Sequence, residues 1–200
     1  MNYEFSLTSA RRHGKSGFLC FRKHRRSFLS GLKETGDFPF VPKSTKRLTA
    51  GDFWAIPLRD GRFACGRVID LKPPDKLGAR VHFLGGLLDW HGLSEPTSQS
   101  IVGASFIAQG IMHIRAIIRT GGRILGHRDF ALDSLGPWTF AYGNEIRLGF
   151  RLVRPWSRED KGRFMTLSAW SPDAIQVMAN QYFIDYLVNN GQRPWWLPPS

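Results

Sequence analysis

The sequence predicts an α+β fold, a mainly antiparallel β domain with a central short helix and a C-terminal helix, preceded by a basic N-terminal arm. Three observations carry that prediction. Residues 51–71, GDFWAIPLRDGRFACGRVIDL, are two apolar runs on either side of an Asp60-Gly61 dipeptide, a strong local signal for a hairpin. Residues 171–191, SPDAIQVMANQYFIDYLVNNG, begin with a serine able to cap a helix, place Pro172 in the first turn and close on Gly191. The first 50 residues hold eleven Lys/Arg against three acids, net +8, whereas the other 150 hold 17 against 13, net +4. The division that follows is a basic extension over 1–46 and a single β-rich domain over 47–200, ending in the helix and a Trp/Pro tail. With 42% hydrophobic and 13% aromatic residues among 200, the chain has enough apolar material for a core.

In chain order, Phe18, Phe21, Arg25, Phe28, Leu29 and Leu32 recur at roughly helical spacing before Gly36, which predicts a short basic amphipathic helix. FPFVPKSTK, 38–46, reads as a linker because Pro39 and Pro42 interrupt a helix. In the hairpin, a four-residue loop from Arg59 to Arg62 pairs Leu58 with Phe63. Ile56 then faces Cys65, and Trp54 faces Arg67, close enough to stack. This loop length also turns the nitrogen of Pro57 outward, so the first strand is an edge at that point. Residues 80–86 read as a short third strand, 87–100 as mostly loop and 103–110 as a strand. Ile111, Ile114, Ile117 and Ile118 share one helical face ahead of Gly121 and Gly122, predicting the central helix. Residues 123–130 read as a strand. IRLGFRLV, 146–153, alternates apolar with Arg or Gly as one half-buried strand. FMTLSAW, 164–170, is a weaker strand signal. The tail QRPWWLPPS is expected to pack on the body.

The same residues argue against several kinds of chemistry. HGKS, 13–16, lacks the earlier glycine and strand of a phosphate loop, since position 9 is serine. The six histidines form no HxxxH or HExxH pair, so no metal site and no cofactor are expected. Cys20 and Cys65 are too few for a disulfide framework. Asp89 and His91 can share a strand face, but no nucleophile motif accompanies them, and no catalytic residue is assigned. No apolar run reaches membrane-spanning length, and the paired arginines near the start are not followed by an apolar export segment. The expectation is a cytoplasmic protein that is not an enzyme and does not contact a membrane. A net charge of +12 calls for an anionic partner. Basic residues interleaved with aromatics in the arm make nucleic acid one candidate.

Gly51, Asp52, Phe53, Ile56, Pro57, Asp60, Gly61, Phe63, Gly66, Arg67 and Val68 together form a pattern. A Gly-Asp start leads into an Ile-Pro pair, an Asp-Gly turn and an aromatic strand closing on Gly-Arg-Val. This pattern resembles the immunity protein 26 family of bacterial polymorphic-toxin systems. GGRILGHRDF, 121–130, is similar to the family's second element, with Arg123 where an aromatic is usual. The resemblance covers 48–142. It implies a mostly β protein that binds and neutralises a cognate toxin by occlusion, without catalysis. The motif residues Gly51, Asp52, Ile56, Pro57, Asp60, Gly61, Gly66 and Arg67 are then structural. Trp54, Arg59, Arg62, Trp90, Trp195 and Trp196 are the candidates for a binding surface. A basic inhibitor implies either an acidic toxin or a separate task for the arm. The alternative reading is a small nucleic-acid-associated module that uses the arm.

Overall fold

The computed structural model describes residues 37–188 and 191–197. The helix expected over 18–36 lies outside them. Among the described residues, ten strands form two sheets. The larger has the order β10-β4-β3-β2-β1-β5. It is built from β1 (Asp52–Pro57), β2 (Phe63–Leu71), β3 (His82–Gly92), β4 (Phe106–His113), β5 (Gly126–His127) and β10 (Ala169–Trp170). Its neighbours are antiparallel except β10, which runs parallel to β4. The smaller sheet has the order β8-β7-β6-β9, from β6 (Thr139–Tyr142), β7 (Glu145–Leu148), β8 (Arg151–Pro155) and β9 (Met165–Thr166). Helix α1 (Arg115–Arg119) follows β4, and α2 (Ala174–Asn180) continues as a π-helix over Gln181–Tyr186. The α+β class, the central short helix and the C-terminal helix are therefore as the sequence predicts.

Both faces of the larger sheet are covered, which is why β1 and β2 are buried on both sides rather than alternately. One face carries Trp54, Val68, Phe83, Leu87 and Met112 beneath α1, α2 and the π-helix, through Ile117, Ile175 and Phe183. The other carries Phe53, Cys65, Ile69, Leu84 and Leu88 against Phe140 and Phe150 of the smaller sheet and its turn. Leu167, buried between β9 and β10, sits where the chain leaves one sheet for the other.

Several boundaries differ from the sequence reading. The hairpin register is one residue away from the expected one: Trp54 faces Gly66, Ile56 faces Ala64 and Phe53 faces Arg67. The loop is Leu58 to Arg62, closed by the Leu58 N–H on the Arg62 carbonyl at 2.8 Å. Packing decides this. A one-residue slip would drive the Trp54 ring into Arg67 instead of over a glycine. The Pro57 edge is as expected, because β5 pairs only with Asp52 and Phe53 and leaves Pro57 without a second strand. Strand β3 runs on through 87–92, read as loop, because β2 pairs with it as far as Gly92. Strand β4 takes Ile111, so the helix shrinks to five residues. The single strand expected over 146–153 is a hairpin. Gly149, at φ +59°, reverses the chain, and its N–H bonds the Trp138 carbonyl at 3.2 Å. Ser171 contributes its carbonyl, not its side chain, to the start of α2. Residues 38–48 lie on the sheet rather than linking to it: Phe40 is buried and pairs with Ile124.

Candidate functional site

Across the larger sheet, Phe53, Arg67, Gly86 and Gln109 form one transverse line. Two of these four are polar and buried, and both reach the segment 128–138 that follows β5. The Gln109 amide donates to the Gly136 carbonyl at 3.1 Å and accepts the Trp138 N–H at 2.9 Å. Arg67 donates to the Arg128 carbonyl and, at 3.1 Å, to Asp133. Its guanidinium lies 4.3 Å from the Phe130 ring centroid. Arg128 adds a forked pair of bonds to the same carboxylate, at 2.7–2.9 Å.

Gly51 and Asp52 close on the same segment. The Gly51 carbonyl accepts the Arg128 N–H at 3.1 Å, and a Cβ at Gly51 would lie 2.5 Å from the Arg128 carbonyl oxygen. Asp52 accepts the Thr49 N–H at 2.8 Å and lies 2.9 Å from the His127 ring nitrogen. With Phe53, whose carbonyl accepts the Leu125 N–H at 2.9 Å and which pairs with Gly126, four residues of the first motif thus fasten the second motif, 121–130, and the strap beyond it. The Thr49 N–H bond makes Asp52 the clasp of a local turn as well, where the sequence reading gave it a structural role alone. That reading missed the partners His127, Arg128, Phe130 and Asp133, although three of them lie inside GGRILGHRDF.

The electrostatics follow from burial. The side chains of Arg67 and Asp133 are 0% and 1% exposed. Hydrogen bonds from Arg128 and then Arg67 hold the Asp133 carboxyl below its usual range. Burial lowers the Arg67 value, against the opposing pull of Asp133. Burial also pushes the Cys65 thiol well up, which makes it a poor nucleophile. Among the described residues no group of three or more His, Cys, Asp or Glu side chains is placed to hold a metal, and no helix is long and apolar enough to cross a membrane.

The other sequence candidates are scattered. Ile56 is core. Trp54 is wholly buried, with its indole N–H on the Thr120 hydroxyl at 3.1 Å, so it is a core residue and not a contact surface. The proposed Trp54–Arg67 stack is absent because the register puts them on opposite faces. Asp60 accepts from Arg62 at the hairpin tip, and Arg62 also reaches the Phe183 carbonyl at 3.3 Å. Arg59 is exposed but tied to Asp185 and, through its N–H, to Asn180 at 2.9 Å. Trp90 is half-buried against the smaller-sheet side. Trp196 packs on the helix with its N–H on Gln181 at 2.8 Å, while its neighbour Trp195 is 92% exposed. Asp89 and His91 do not meet as a dyad: His91 packs its ring 5.1 Å from Phe183, and Asp89 bonds Tyr182.

Gly61 has φ +85° and open space where a Cβ would stand. Gly61→Val should therefore cost about 1 kcal/mol through backbone conformation alone. Urea unfolding should show a lower midpoint with an unchanged slope.

A cleft of about 260 Å³ opens between the smaller sheet and the loop joining β2 to β3. Its apolar floor is Ile111, Phe150 and Leu167, and Lys72, Lys76 and Arg147 stand around it. No sequence candidate lines it. A family model described as Immunity protein 26 matches residues 49–152, just over half of the chain. No curated protein and no solved structure matches the chain.

Proposed function

The chain belongs to the immunity protein 26 family, and from that membership we propose that it binds a cognate toxin of a bacterial polymorphic-toxin system and blocks it by occlusion, without catalysis, in the cytoplasm of the cell that makes both. The observation that carries this reading is the match over 49–152. The fold supports it in a particular way. The motif side chains that look most reactive, Asp52 and Arg67, are buried and spent on internal bonds. Recognition is then left to the rigid outer surface, where contact area is presented at little entropic cost.

The test is to co-express the chain with the toxin domain encoded beside its gene. Protection and a co-purifying complex are expected. Intact toxicity with no complex overturns the proposal. The same assay separates the arm from the body. Cutting after residue 36 keeps Phe40 and Thr45, which are buried on the sheet, whereas cutting after 46 would remove them. The shorter deletion is expected to keep protection and to abolish salt-dependent binding to a random DNA duplex, because eight of the eleven early Lys/Arg go with it. Loss of protection by a folded truncation would put the arm in the inhibitory surface.

A further inference from the structure

We propose that the cleft beside Lys72 is the anchor point for an acidic segment of the partner, one that inserts a single large apolar side chain. This rests on the toxin-binding reading and adds the place and chemistry of contact. The volume of about 260 Å³ lies below the roughly 300–1,000 Å³ of small-molecule sites. It suits one side chain rather than a cofactor. The floor supplies the apolar contact, since Phe150 and Leu167 are 8% and 4% exposed. Leu77, on the loop, is 95% exposed and gives a further apolar wall.

The rim decides the charge of the occupant. Among the described residues, three cations and no carboxylate line the cleft. Lys76 is paired with Asp75, and Arg147 with Glu145, both outside the lining set. Lys72 has no carboxylate partner among the described residues. A second copy of this chain, at net +12, is repelled from such a rim. An acidic segment is attracted, and long-range attraction speeds its encounter. An apolar anchor inside a polar rim is the general anatomy of a protein–protein interface.

The test uses the full chain and a fluorescent hexapeptide with one phenylalanine among glutamates and aspartates. Two controls are the same peptide with lysines for its acids and with serine for its phenylalanine. The acidic phenylalanine peptide should bind, and both controls should bind at least about 10-fold more weakly. Lys72→Glu/Lys76→Glu should weaken the first peptide by about the same factor. Lys43→Glu/Lys46→Glu, two exposed lysines that do not line the cleft, makes the same change in net charge and should have a clearly smaller effect. Equal binding to both double variants, or no preference for the acidic peptide, overturns the proposal. With the neighbouring toxin domain, the two readings separate. Full protection by Lys72→Glu/Lys76→Glu overturns the cleft and leaves toxin binding standing. Peptide binding as expected, with no complex between the wild-type chain and the toxin domain, overturns toxin binding and leaves the cleft standing.

Discussion

Asp133→Ala is expected to lower the unfolding free energy by about 3–5 kcal/mol, the usual cost of stripping one partner from a buried ion pair. The reason is Arg67, whose side chain is 0% exposed and which is paired with no other carboxylate among the described residues. In the variant its guanidinium keeps the Phe130 ring and, as a hydrogen-bond acceptor among the described residues, only the Arg128 carbonyl, and its Nε has no partner there. Arg67→Met/Asp133→Leu should recover much of the loss, because two apolar side chains leave no buried charge behind. The pH dependence gives a second readout. Asp133 has a depressed folded value, held down first by Arg128. Its contribution is therefore complete above the ordinary carboxylate value of about 4 and is lost as pH falls through the folded value. Urea midpoints should drop for the wild type below about pH 4 and drop less for Asp133→Ala. A variant within about 1 kcal/mol of wild type at pH 7 would refute the buried-pair account.

Trp54→Ala should cost about 3–5 kcal/mol, since the ring is completely buried and packs edge-on to Phe83 at 6.0 Å between centroids. The ring lies over Gly66, where an added Cβ would stand 2.3 Å from a ring carbon. Gly66→Ala alone should then cost roughly 1–3 kcal/mol by overpacking. In the Trp54→Ala background the same methyl enters space the ring has left. The double variant should be no less stable than Trp54→Ala, a strongly non-additive cycle. Additive losses would mean that Gly66 serves the backbone rather than the indole.

These two sites also show what the sequence could and could not convey. Asp60-Gly61 marks the hairpin because a turn is a local property of a few residues. The register is not local. It depends on which residue accommodates the Trp54 ring, and that is settled across two strands by volume. The 146–153 alternation failed for a related reason: Gly149 falls on the polar phase of the period, so a reversal and a straight strand look alike. The 111–118 pattern suited a helix, yet Ile111 is claimed by pairing with β3 and β10. Of the candidate site, the motif residues were visible in the sequence, but not the clasp they form, because Arg67 and Asp133 are 66 residues apart. The cleft left no trace, since Lys72, Ile111, Arg147 and Leu167 come from four distant stretches.

That separation of 66 residues has a kinetic consequence. Closing so long a loop costs chain entropy before any bond rewards it. Until the strap arrives, water solvates the Arg67 charge better than a half-formed sheet face would. The expected order of events therefore assembles the β1–β4 meander first and seats the Arg128–Asp133 segment afterwards, on the native side of the folding barrier, so that Asp133→Ala should speed unfolding far more than it slows refolding. Interactions made there slow unfolding and leave the folding rate nearly untouched. The clasp acts as a latch on the finished molecule: it sets how long the strap stays seated, while the hairpin and its tryptophan set how quickly the sheet is found.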